Sequence, residues 1–151
     1  MKKLLFLLCL LSWSALNAQK TINRPPFIAK ATETIEIAAV HLSDTANVID
    51  VDAKFTPKDW IRIAPATCLV ADNGERYQVR QGVGIELGQE FWMPESGEAT
   101  FSLIFPPLPP SVKSFDFVEG EGERDFNLFG ISLTGKLPKL QLLKGLEKAG
   151  K

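Results

Sequence analysis

The chain has two cysteines, one histidine and one tyrosine in 151 residues, and that scarcity excludes several kinds of protein. Cys9 and Cys68 make no CxxC pair and no disulfide framework. A structural zinc site takes four ligands, and one histidine with one remaining cysteine does not supply a zinc-binding pattern. Charge of neither sign is in excess, with 17 Lys and Arg against 18 Asp and Glu. That balance gives no electrostatic case for binding nucleic acid. The apolar run Leu4 to Leu11 is shorter than the ~20 residues that a membrane-spanning helix needs. No helical period is visible before residue 136.

What is present begins at the N-terminus. Lys2 and Lys3 precede that apolar run, and the smaller, more polar stretch Ser12 to Ala18 follows it. This is the three-part pattern of a signal peptide, with cleavage expected near Ala18. The expected location is therefore the periplasm or cell envelope. Cys9 does not read as a lipid-attachment site, because Leu8 precedes it and the apolar run continues beyond it. Residues 19–151 then suit a single domain.

Within that domain the pattern is of strands. Residues 19–33 contain Arg24-Pro25-Pro26 and read as an extended leader. Ile35 and Ile37 alternate with polar neighbours. Ile49, Val51, Ala53 and Phe55 share one face while Asp50, Asp52 and Lys54 share the other, so the two runs read as a hairpin. Cys68 to Ala71 and Glu75 to Arg80 flank Asn73-Gly74, a hairpin signal in which both residues tolerate positive φ. Phe101, Leu103 and Phe105 mark one core strand, and Phe115 and Phe117 mark another. Pro106, Pro107, Pro109 and Pro110 form a stiff connection between them. Near Gly130 the apolar phase slips from Phe126 and Leu128 to Phe129, Ile131 and Leu133, which predicts a bulge. Seven to nine short strands with turns every ~8–12 residues predict an antiparallel sandwich over residues 34–135, with a barrel as the alternative.

Residues 136–151 change character. Leu140, Leu143 and Leu146 recur at helical spacing opposite Lys144, Lys148 and Lys151, which predicts a short amphipathic helix or linker. Its leucine face needs a partner. Docking on the chain's own sandwich, or contact with a further domain or protein, is favoured over a membrane surface.

Candidate chemistry is sparse. His41 lies at the end of a strand with no serine, cysteine or carboxylate at a recognisable catalytic spacing, so it reads as a rim residue. Cys68, in Thr67-Cys68-Leu69-Val70, reads as a small buried hydrophobe. Glu119, Glu121, Glu123 and Asp125 could offer oxygens to Ca²⁺, but they match no calcium-loop pattern and read as a solvated turn. Asp50 and Asp52 are neighbours on a wet strand face. Gly82-Val83-Gly84 is too short for a phosphate-binding fingerprint. Trp60, Trp92 and Tyr77 could build a carbohydrate platform, although aromatics in a sandwich belong more often to the core. The expectation is therefore no catalytic residue, no cofactor-binding residue, no metal ligand and no cofactor.

The turn Glu95-Ser96-Gly97-Glu98, the strand Thr100 to Phe105, the break Pro107-Leu108-Pro109, the run Ser114 to Glu119 and the strand Phe129 to Leu133 carry a resemblance. Over roughly Ile35 to Leu133 the chain resembles the immunoglobulin-like β-sandwich domains of exported proteins of Gram-negative bacteria. Similar modules stand at the N-terminus of envelope thiol–disulfide oxidoreductases, ahead of a thioredoxin-like domain, and this chain has no CxxC of its own. The resemblance implies a non-catalytic module for protein interaction or spacing. An accessory domain of such an oxidoreductase is the alternative, and a carbohydrate- or calcium-binding module is a third reading. The expected partner is a protein or a downstream domain.

Overall fold

The computed structural model describes residues 19–138 apart from positions 121 and 123. The expected signal peptide, Glu121, Glu123 and nearly all of the expected C-terminal helix lie outside the described residues. Within them the protein is all-β, without a helix.

Twelve strands follow in order: β1 (Lys20–Asn23), β2 (Ala29–Lys30), β3 (Ile35–Leu42), β4 (Asn47–Lys54), β5 (Trp60–Ile61), β6 (Cys68–Ala71), β7 (Arg76–Gln78), β8 (Gln81–Val83), β9 (Phe91–Trp92), β10 (Glu98–Phe105), β11 (Ser114–Val118) and β12 (Asn127–Ser132). One five-stranded sheet has the order β1-β3-β4-β10-β8 and a second has the order β2-β12-β11-β6-β7. β5 and β9 form a separate two-stranded ladder. Every pairing is antiparallel. The count exceeds the expected seven to nine because β2, β5 and β9 have two residues each, too short to show a period.

Period-two alternation builds the core. β4 buries Asn47, Ile49, Val51 and Ala53 and turns Asp50 and Asp52 outward. β10 buries Phe101, Leu103 and Phe105. Phe115 and Phe117 of β11 close on them from the other sheet, and the rings of Phe105 and Phe117 meet edge-on at 6.2 Å. The proline connection 106–113 thus joins one layer to the other. A single apolar cluster draws on both five-stranded sheets.

The chain also crosses between layers along both sides of the molecule. Val79 donates its N–H to Thr67 O at 2.8 Å, and the next residue, Arg80, donates to Ile104 O at 2.7 Å. β7 therefore runs on into β8 with one peptide joining the two layers. On the far side, Arg24 (φ 43°) donates to Ala38 O, while Pro26 accepts from Ser132 N at 2.8 Å. The leader predicted for residues 19–33 is extended, but β1 and β2 belong to the sheets, so the boundary placed at residue 34 falls inside the fold. Their sequence hides this because backbone bonds hold them and little of their side-chain surface is buried.

Two turns depend on glycine. The β6–β7 hairpin forms where Asn73-Gly74 predicts it, with positive φ at Gly74 (86°) and not at Asn73. Gly74 N donates to Ala71 O and Ala71 N to Glu75 O, both at 2.9 Å, the pattern of a three-residue loop with a glycine bulge. In β12 the register passes from Phe115↔Ile131 to Phe117↔Leu128, so the expected bulge sits at Phe129-Gly130, where Gly130 has φ 65°.

Candidate functional site

The β5–β9 ladder lies at one end of the molecule. Asp59 Oδ1 accepts the N–H of Trp60 at 2.8 Å. Lys58 N to Met93 O (3.2 Å) and Met93 N to Asp59 O (2.7 Å) continue the ladder. Trp60 stands opposite Trp92, and Ile61 opposite Phe91. Ile61, Ile63 and Met93 are buried, and alternation sends the two tryptophans outward, 42% and 59% exposed. The expectation that these aromatics belong to the core is overturned. Directly opposite residues of an antiparallel pair lie side by side, with Cβ atoms ~5 Å apart. Tyr77, the third aromatic of the supposed platform, lies on β7 in the other sheet and packs against the core.

A cleft of about 790 Å³ adjoins Trp60. Its walls include Phe55, Asp59, Arg62, Glu119, Arg124 and Asp125. The Glu119 backbone N–H is fixed by Asn127 Oδ1 at 2.9 Å, and Asn127 Nδ2 donates to Gly120 O at 2.9 Å. Carboxylate atom Oε2 of Glu119 is buried without a hydrogen-bond partner among the described residues. Burial, and next the charge of Asp125, push the Glu119 carboxyl up to about 7, while the Phe126 N–H and Arg62 pull the other way. Of the supposed calcium loop, Asp125 Oδ2 accepts from Gly122 N at 2.6 Å. Among the described residues no three His, Cys, Asp or Glu side chains cluster as metal ligands would.

His41 is less isolated than its place in the sequence suggests. Thr21 Oγ1 faces its Nδ1 at 3.0 Å and Asp50 Oδ2 faces its Nε2 at 2.7 Å. Ser102 Oγ donates to Asp50 Oδ1 at 2.6 Å. One polar line thus crosses β1, β3, β4 and β10. Partial burial pushes the Asp50 carboxyl up, but the Ser102 and His41 hydrogen bonds and the His41 charge outweigh it and hold the group below its ordinary value. Hydroxyl, imidazole and carboxylate stand in the order that nucleophilic catalysis uses. They lie on the open outer face of a sheet, however, with His41 41% and Asp50 39% exposed. There the line's hydrogen bonds join four strands side by side. Asp52, its neighbour, pairs with Arg24.

Cys68 is buried as expected, and the Arg76 guanidinium donates to its Sγ at 3.5 Å. Gly82 and Val83 belong to edge strand β8, where Gly82 pairs with Leu103. On the opposite layer, Phe27, Ile28 and Phe129 are each about two-fifths exposed. Ile28 N donates to Phe129 O at 3.0 Å and the Ile28 side chain lies over Gly130, so Ile28 and Phe129 are neighbours beside β2, and Phe27 precedes Ile28 in the chain.

Compared with family models, with curated proteins and with solved structures, the chain finds no match in any of the three.

Proposed function

We propose that the chain is an exported, non-catalytic module with an immunoglobulin-like β-sandwich fold, acting in protein interaction or spacing. Strand order supports the fold. The run β3-β4-β10-β8 corresponds to the order A-B-E-D, and β12-β11-β6-β7 to G-F-C-C′. In that reading β1 and β2 are one additional strand on each layer. The observation that carries the interaction is the exposure of Phe27, Ile28 and Phe129 beside β2. They lie at edge strand β2, and exposed apolar side chains grouped in this way mark contact sites for other proteins. The accessory-domain reading draws on the resemblance alone, since Cys68 is buried.

A photo-crosslinking residue at Phe129, introduced in the cells that make the protein, tests this. A discrete adduct with another protein is expected, and none from Val83, which is exposed on the other layer. Equal, diffuse labelling from both positions, or none from Phe129, refutes the interaction.

A further inference from the structure

We propose that the paired indoles of Trp60 and Trp92, with the cleft beside Trp60, form a binding site for a neutral polysaccharide chain. This goes beyond the interaction reading above and concerns a different surface. The ladder fixes the two indoles as neighbours on its outward face, because Ile61, Phe91 and Met93 take the inward positions. Both rings keep large exposed areas, unusual for tryptophan, whose ring is mostly buried in folded proteins. A sugar ring offers a C–H face that packs on an aromatic plane and hydroxyls around its edge. Two adjacent indoles present a strip for consecutive rings of one chain.

The groups next to the strip decide between ligands. Asp59, Glu119 and Asp125 set carboxylates against the guanidinia of Arg62 and Arg124. A strongly anionic ligand would meet the carboxylates, and a cationic one the arginines. Hydroxyls both donate and accept, so an uncharged ligand rich in them can satisfy groups of both kinds. The unpartnered Oε2 of Glu119 is one such group. The cleft volume, about 790 Å³, falls in the range of small-ligand sites. A protein hot spot seats its tryptophans in surroundings that lose their water on binding. Here the flanks are charged, and Lys58 and Glu95, two and three positions along the chain from the tryptophans, form an exposed ion pair 3.4 Å apart.

The test is isothermal titration of the full chain with cellotetraose, xylotetraose, maltotetraose and tetra-N-acetylchitotetraose, beside a glycan array. Saturable binding to at least one, with Kd below ~1 mM, is expected. Trp60→Ala and Trp92→Ala should each weaken it about tenfold or more, Trp60→Phe should retain part of it, and Val83→Ser should leave it unchanged. Unchanged thermal unfolding of the variants separates lost binding from lost fold. No saturable binding to any probe or array glycan overturns the site. So does binding that survives both alanine variants, and so does a protein ligand lost on Trp60→Ala in the absence of sugar binding. Cleavage of a bound tetrasaccharide would instead overturn the non-catalytic reading and leave the site standing.

Discussion

Replacing Glu119 by glutamine should make the protein more stable above neutral pH and change little in acid. The carboxyl moves from an ordinary value of 4.5 when unfolded to about 7 when folded, chiefly through burial and then through Asp125. Between those values the folded state holds a proton that the unfolded state has released. Stability attributed to this group is therefore full below pH ~4.5 and is lost as pH rises through ~7. At ~1.4 kcal/mol per pH unit the displacement sets a ceiling of ~3 kcal/mol. Glu119 keeps partial contact with solvent, so screening brings the expected effect to ~1–2 kcal/mol. Glutamine keeps the shape and cannot ionise. Urea unfolding of the two chains at about pH 4.5 and about pH 8.5 measures the difference. Titration common to both chains cancels in it. Equal stability of the two chains at high pH, or a glutamine chain less stable there, would refute the argument that the cleft disfavours this charge.

Three further outcomes follow from the packing. Asn47 is fully buried, with neither Nδ2 nor Oδ1 bonded among the described residues. Asn47→Leu should raise stability by ~1–2 kcal/mol by chemical denaturation, and a loss of that size would mean the amide is satisfied. Phe117→Ala removes a ring with no exposure that contacts Phe105 across the layers, and should cost ~3–5 kcal/mol. A loss below ~2 kcal/mol would contradict the shared core. Gly130→Ala sets a side chain at φ 65° and drives its Cβ into Ile28, so the melting temperature should fall by the equivalent of ~1–2 kcal/mol; an unchanged melting temperature would show that the bulge relaxes.

Much of the sheet structure is legible in the sequence where large apolar residues alternate. β4, β10 and β11 read directly, and the phase slip around Gly130 locates the bulge. β1 and β2 do not read, because polar and proline-rich segments can pair by backbone bonds without an apolar face. The exposed tryptophans were legible in principle. Ile61 and Ile63 are inward, so the same alternation puts Trp60 outward, but aromatic bulk suggests core. The line Thr21, His41, Asp50 and Ser102 was not legible, since its members meet through the order of four strands and the bulge between Ile37 and Ala39. The cleft likewise joins segments distant in sequence, around residues 55–62 and 119–126.

The pairing of β2 with β12 bears on how the protein is made. As synthesis proceeds from the amino end, the first sheet has all its strands once residue 105 has emerged. Its inner face, with Phe101, Leu103 and Phe105, then has no finished layer to cover it. β2 waits for a partner about a hundred positions later, and Leu128 and Ile131 of that partner complete the interior. The two layers therefore close on each other only once β12 has been made. A fragment stopping short of Asn127 would leave the ribosome with half a core and an open edge, a state that invites aggregation.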